Sequence, residues 1–164
     1  MVETKEYFEE YLWLDPIENR FYWAKQPNSQ ASVGDRAGST FPDKDGYFLL
    51  TFNNKNYYEH RLIWFWHYGY FPELIDHIDG NRTNNHILNL REATKSQNAA
   101  NSKIRKDNKS GVKGVFYLEK FGTWKASIRV NSKSIHLGNF KSLEEAKRVR
   151  LAASMKYFGE FHKP

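Results

Sequence analysis

Seven consecutive residues, Arg105-Lys106-Asp107-Asn108-Lys109-Ser110-Gly111, contain no apolar side chain. A run of that composition reads as a linker, and it divides the chain into pieces that must each close a core of their own. The length of 164 residues permits this, since it suits one ordinary domain or two small ones. The boundaries expected are an accessory β region at 1–59, a core at 60–105, a linker at 106–112 and a last domain at 113–164. Apolar residues make up 40% of the chain and aromatics 16%, which excludes wholesale disorder.

Charge is unevenly placed. Residues 1–59 carry 6 basic and 10 acidic side chains, residues 60–109 carry 8 and 5, and residues 110–164 carry 11 and 4. Positive charge concentrated in the last third suits an anionic polymer or a membrane surface, with a solvated basic face as the plain alternative. No stretch approaches the roughly 20 apolar residues of a membrane span. The start, Met1-Val2-Glu3-Thr4-Lys5-Glu6, lacks the basic stretch and apolar run of a signal peptide. The absence of cysteine removes disulfides, thiolate nucleophiles and cysteine zinc sites. A soluble, cytoplasmic, mildly basic protein is the expectation.

Local patterns predict the elements. Tyr7, Tyr11 and Leu14 recur at helical spacing, so Glu6 to Leu14 reads as a short helix. Arg20 to Ala24 reads as a strand after the turn at Asp15-Pro16 and Asn19. Tyr47 to Phe52 and Tyr57-Tyr58 read as paired strands after the Asp45-Gly46 turn. Arg61 to Tyr68 fits a buried helix closed by Gly69.

The segment from Leu74 to Gln97 carries the chemistry. Ile75 and Ile78 flank Asp76 and His77, Asp79-Gly80-Asn81 makes a tight turn, and Leu88 to Arg91 returns extended. Thr94 and Gln97 have capping-box spacing, which starts a helix near Lys95 and places Asn98 in its first turn. A hairpin followed by a helix is the layout. Neighbouring residues of a regular strand point to opposite faces, so a bend is expected at Asp76-His77.

These residues resemble the HNH nucleases, in particular the phage and intron-encoded homing type. Glu59-His60-Arg61-Leu62-Ile63-Trp64, Asp76 to Asn81, Asn89-Leu90-Arg91 and Gln97-Asn98 carry the resemblance. It implies an α+β fold with a ββα-metal core and one divalent ion. By position it makes His77 the general base, Asp76 and Asn98 the metal ligands, and Asn89 the brace of the loop that orients His77. An Asn as third motif letter implies a hard ion, Mg²⁺ or Mn²⁺. The roles suit phosphodiester hydrolysis: neutral His takes a proton near pH 7. A cation on carboxylate and amide oxygens stabilises developing charge. Arg82 and Arg91 are candidate phosphate contacts, with ion pairs to Asp79 or Glu92 as the alternative. His67 reads as packed, His60 as structural with contact to the site as the alternative, and His86 stays unassigned.

Past the polar run the pattern changes. Trp124, Ala126, Ile128 and Val130 alternate with Thr123, Lys125, Ser127 and Arg129, giving a half-buried strand with a basic face. Gly114 to Leu118 and Ser134 to Leu137 complete a three-stranded antiparallel sheet. A second capping box at Ser142 and Glu145 opens a helix that runs to about Tyr157 and stops at Gly159. This segment resembles the AP2 DNA-binding domain, on Ser110 to Val115, Trp124 to Ile128, His136 to Phe140, Glu144-Glu145-Ala146 and Ala152-Ala153. The resemblance implies that the outer sheet face lies in the major groove of duplex DNA. It puts Lys113, Tyr117, Lys125, Ser127, Arg129, Lys133 and His136 on the contact face, with Arg129 reading guanine.

The reading is a homing-type, metal-dependent DNA endonuclease acting on double-stranded DNA, as a monomer or a DNA-bound dimer. It would work in the host cytoplasm if phage-encoded, with no membrane partner and no small-molecule substrate. The alternative is a non-catalytic DNA-binding regulator. RNA as target is disfavoured, since no aromatic platform is expected on the outer sheet face. Residues 1–59 are read as an accessory β-sheet against the Arg61–Tyr68 helix and are given no chemistry.

Overall fold

The computed structural model describes residues 4–162. The expectation about Met1 to Glu3 lies outside the described residues. The chain forms two compact units, residues 1–92 and 93–164.

The first unit begins with helix α1 (Lys5–Glu9), capped by the Thr4 hydroxyl, which accepts from the Tyr7 N–H at 3.4 Å. The helix expected to reach Leu14 ends here. Leu12–Asp15 is instead strand β1, paired antiparallel with β2 (Arg20–Trp23). Helical spacing of three residues is outweighed by what the strand gains. Leu12 is buried, Trp13 stacks on Tyr22 with centroids 4.8 Å apart, and Asp15 Oδ1 takes the turn N–H groups of Ile17 and Glu18 at 2.8 Å each. Strands β3 (Leu49–Phe52) and β4 (Lys55–Tyr58) form a second hairpin. Its two-residue turn, Asn53-Asn54, has φ of 47° and 60°, the left-handed pair that matches strand twist.

Helix α2 (Glu59–Tyr68) follows and ends at Gly69, whose φ of 78° lets its N–H reach the Phe65 carbonyl at 2.8 Å. Strands β5 (Ile75–His77) and β6 (Leu90–Glu92) pair antiparallel, with a 3₁₀ turn at Ile87–Asn89 before β6. One core joins these parts: Phe8, Phe21, Leu50, Leu62, Ile63, Ile75 and Leu90 cluster together. Residues 1–59 are therefore two separate hairpins built into that core, where one accessory sheet was expected.

The second unit starts with α3 (Lys95–Asn101), opened by the expected capping box of Thr94 and Gln97. Strands β7 (Val115–Leu118), β8 (Thr123–Val130) and β9 (Lys133–Phe140) form the expected antiparallel sheet in the order β7-β8-β9. β9 runs to Phe140, beyond the expected Leu137, because a bulge between Gly138 and His136 lets pairing continue. Helix α4 (Leu143–Phe158) backs the sheet. It starts at the expected place, though no side-chain bond forms at Ser142. Val115, Ala126 and Ala146 pack at one end of this unit and Ala100, Ile128, Phe158 and Phe161 at the other.

The division at 92/93 differs from the expected linker at 106–112. Ala100 on α3 belongs to the core of the second unit. The polar run is hydrogen-bonded: Asn108 Nδ2 and the buried Ser110 hydroxyl both donate to the Val112 carbonyl, at 3.1 and 2.9 Å. Lack of apolar residues marks a stretch that contributes little to a core, and side-chain bonds to its own backbone hold it instead.

Candidate active site

β5 brings Asp76 and His77 to the middle of the first unit, 4% and 5% exposed. The expected bend is absent, since both lie in the strand, paired with Arg91 and Leu90. They consequently look to opposite faces. Asp76 Oδ2 is gripped by Arg91, whose Nε and Nη2 each stand 2.9 Å away. Arg91 is thus an ion-pair partner, with Asp76 in place of Glu92.

His77 faces a different set. Its Nε2 lies 3.2 Å from Asn85 Oδ1, and Asn85 Nδ2 donates to Glu59 Oε2 at 3.3 Å. Glu59, 2% exposed at the start of α2, forms ion pairs with Arg20 and, at 4.0 Å, Arg36. Burial pushes the Glu59 carboxyl pKa up, and the Arg20 charge pulls it back. A carboxylate accepts only, so Asn85 turns its amide N–H to Glu59 and its oxygen to His77. That order assigns the Nε2 proton and leaves the Nδ1 lone pair as the basic position. Burial lowers the His77 pKa, against the opposing pull of its bond to Asn85 and of Asp79 and Asp76. The imidazole is neutral at pH 7, as a proton acceptor must be.

Asn89 ties the loop after His77. Its Oδ1 accepts from the Asp79 N–H at 3.1 Å, and its Nδ2 donates to Asp79 Oδ1 at 3.1 Å and to the Asn84 carbonyl at 2.8 Å. Burial works to raise the Asp79 pKa, yet bonds from Asn81, Asn84 and Asn89 hold it below its ordinary value. Arg82 does not pair with Asp79: Nη1 donates to the Asp45 carbonyl at 2.7 Å, and the guanidinium lies 4.9 Å from the Tyr47 ring centre. His86 Nδ1 accepts from the Leu88 N–H at 3.2 Å and caps the 3₁₀ turn. Asn98 lies half-buried on α3, in the second unit.

His60 takes the alternative role, contact with the site. Its ring centre is 5.1 Å from that of His77 and 5.0 Å from that of Tyr47. Burial, with the His77 charge adding, lowers its pKa to about 3. The unfolded group titrates near 6.5. Between those values the unfolded chain binds the extra proton, so this contribution is complete above pH 6.5 and is lost as pH falls toward 3. His60→Gln should flatten the acid side of a urea-midpoint-against-pH curve by up to about 1.4 kcal/mol per pH unit. An unchanged slope would remove His60 as the source.

Asn85, Glu59 and Arg20 escaped the sequence analysis as site residues. The available signals were a lone acidic residue opening the apolar run at 59–68 and the polar doublet Asn84-Asn85. Residues 1–59 also supply Arg20, Arg36 and Tyr47, so they are not without a part. Asn85→Ala should lower turnover about 10–100-fold, as loss of an orienting partner does. Stability should fall by about 1–3 kcal/mol, because a buried donor and acceptor lose their partner. Single-turnover kinetics with a urea melt checks both, and wild-type turnover would mean that Asn85 does not orient His77.

The donor set bears on a metal. Among the described residues no three His, Cys, Asp or Glu side chains gather as a metal site. A hard cation that keeps most of its waters asks for only one or two protein oxygens, and the Asp76 carboxylate fits that demand. It would share Asp76 with Arg91.

In the second unit, residues directly opposite in an antiparallel pair share a face. Lys125 therefore shares its face with Phe116, Ser127 with His136, and Arg129 with Ser134. Tyr117 stands opposite Trp124, with ring centres 5.0 Å apart, and leaves the expected contact face. Lys133 stands opposite Val130, and Lys113 Nζ donates to the Ala100 carbonyl. Phe116, 44% exposed, takes the place expected of Tyr117, so the outer face does carry one aromatic ring.

Residues 57–100 match the family model described as HNH endonuclease. Protein 3.8 of Escherichia phage T7 is 38% identical over 74 residues, covering 45% of this chain and 56% of that protein. An uncharacterized HNH endonuclease of Acanthamoeba polyphaga mimivirus is 36% identical over 90 residues, covering 55% of this chain and 46% of that protein. The chain spans about half the length of these curated relatives. No solved structure matches significantly. Among the described residues no helix is long and apolar enough to cross a membrane. Over residues 57–100 the chain is similar to the HNH endonuclease family, and its relatives include viral proteins.

Proposed function

We propose that this chain is a homing-type, metal-dependent endonuclease that hydrolyses phosphodiester bonds of duplex DNA. The observation that carries the reading is the His77 imidazole, held through Asn85 by buried Glu59 within the stretch that matches the HNH endonuclease model. His77 takes the proton from the attacking water at Nδ1, and the Asn85 carbonyl keeps the ring in that tautomer and orientation. Asn89 and Asp79 hold the loop that follows the base. Asp76 is the anionic oxygen donor for a cation, with Asn98 retained as the second donor by motif position alone. The ion, Mg²⁺ or Mn²⁺, would supply Lewis-acid stabilisation of charge on the phosphate and leaving oxygen.

Recognition is assigned to an AP2-like module in the last third of the chain, where 11 basic residues face 4 acidic ones. Lys125, Ser127, Arg129 and His136 are the contact residues that share one sheet face. Arg129 is the base reader, and Lys125 is a phosphate contact.

Supercoiled plasmid incubated with Mg²⁺, Mn²⁺ or EDTA tests the reading. Metal-dependent nicks or breaks with 5′-phosphate and 3′-hydroxyl ends are expected. DNA binding without cleavage under either metal would return the regulator reading.

A further inference from the structure

Helix α4 turns Ala146, Arg150, Ser154 and Phe158 inward at four-residue spacing, all buried. Arg150 stands out among them as a charged side chain only 8% exposed. Among the described residues no carboxylate or other acceptor engages it, and its Nε is sealed from solvent without a hydrogen bond. A buried charge left without a counter-charge is strongly unfavourable, and buried arginines are ordinarily paired. Burial lowers its pKa, but a guanidinium remains charged at neutral pH.

Arg150 lines a cleft of 430 Å³ together with Lys113, Phe116, Lys125, Ser127 and Arg129. Among the described residues no carboxylate lines this cleft. Gly114 makes room beside the guanidinium. A Cβ there would overlap the Ser127 carbonyl oxygen and come within 3.0 Å of Arg150 Nε, and its φ of 73° suits glycine. A concave, cationic site lined by a planar guanidinium and a nearby hydroxyl matches a phosphate oxyanion, which arginine grips through two parallel hydrogen bonds. A free phosphate would leave the rest of the face unused. An extended polyanion also meets Lys125 and Arg129, which line the same cleft.

We propose that this cleft seats one backbone phosphate of DNA, gripped by the terminal nitrogens of Arg150. The proposal rests on the DNA-binding reading of the second unit given above.

The test uses the full chain and fluorescence anisotropy on a labelled duplex in EDTA, titrated across NaCl. Arg150→Met should weaken binding about tenfold at low salt and shallow the log–log salt slope by about 0.9, one phosphate's worth. Its melting temperature should hold or rise, because methionine replaces an unpaired buried charge. Millimolar inorganic phosphate should raise the wild-type melting temperature and leave that of Arg150→Met unmoved. Should Arg150→Met fold poorly, Arg150→Lys decides, since it keeps the charge and loses the fork. Weaker DNA binding at an unchanged slope supports the proposal, and wild-type affinity overturns it. Wild-type affinity and slope in Arg150→Met, or an equal response to phosphate in both proteins, overturns it as well. A phosphate response without any DNA binding would make the cleft a free-anion site, and that too overturns the DNA seat. Failure of the catalytic reading is seen separately, as absence of cleavage with metal, because this assay contains none.

Discussion

His77→Ala is expected to lower DNA cleavage about 10²–10⁴-fold, the usual worth of a positioned general base, while DNA affinity stays near wild type. The ring sits 5% exposed at the end of β5, with a proton fixed on Nε2 by Asn85 and a pKa lowered by burial. No other group near it takes over easily. The neighbouring His60 packs among Tyr47, Tyr58 and His77, where burial lowers its pKa to about 3 and makes it a poor acceptor. Alanine leaves space at a buried position, so a urea melt must accompany the kinetics. His77→Asn, which keeps polar bulk but no basic nitrogen, separates lost chemistry from lost packing. Single-turnover cleavage at wild-type rate in either variant would remove His77 from the mechanism.

Asp76→Ala is expected to abolish metal-stimulated cleavage, a loss of roughly 10² or more given the several kcal/mol that a bound cation supplies. The same change strands Arg91, whose side chain is 13% exposed and whose Nε and Nη2 both rest on Asp76. Removing one partner of a buried pair costs about 3–5 kcal/mol, so this variant should also melt markedly earlier. Asp76→Asn keeps a hydrogen-bond acceptor for Arg91 and removes the anionic charge. It should therefore recover much of the stability and little of the cleavage. Calorimetric titration with Mn²⁺ provides a readout besides activity: both variants should bind the ion more weakly than wild type. Normal cutting at low Mg²⁺ by Asp76→Asn would show that Asp76 does not hold the cation.

Arg150 and Glu59 illustrate one rule from two sides. Both are charged residues, and both are buried. Glu59 finds Arg20 and Asn85 within the first unit, and Asn85 in turn meets His77. Arg150 finds no acceptor among the described residues, and the cleft it lines is the place where one would enter.

Local chemistry made much of the chain legible. The capping box at Thr94, the glycine stop at Gly69 and the alternation from Thr123 to Val130 act over three to eight residues, so neighbours in sequence carry the whole signal. Asp76, His77 and Asn89 were likewise visible, because their motif is contiguous apart from one loop. What the sequence determined by itself was this: a short hairpin with Asp76 and His77 on it, a capped helix after it, and a basic three-stranded sheet backed by one helix. Tertiary structure decided the rest. The bond from Asn85 to Glu59 spans 26 residues and depends on α2 placing a carboxylate beside a loop, which no local propensity encodes. Registry between β7 and β8 exchanged Tyr117 for Phe116 on the outer face, since one residue of shift in a period-two strand reverses every side chain. The boundary at 92/93 followed the burial of Ala100 with Ile128 and Phe158, where a polar run had suggested 106–112. Local pattern specifies which face of an element is apolar, and only packing over long sequence separations selects the partner that covers it.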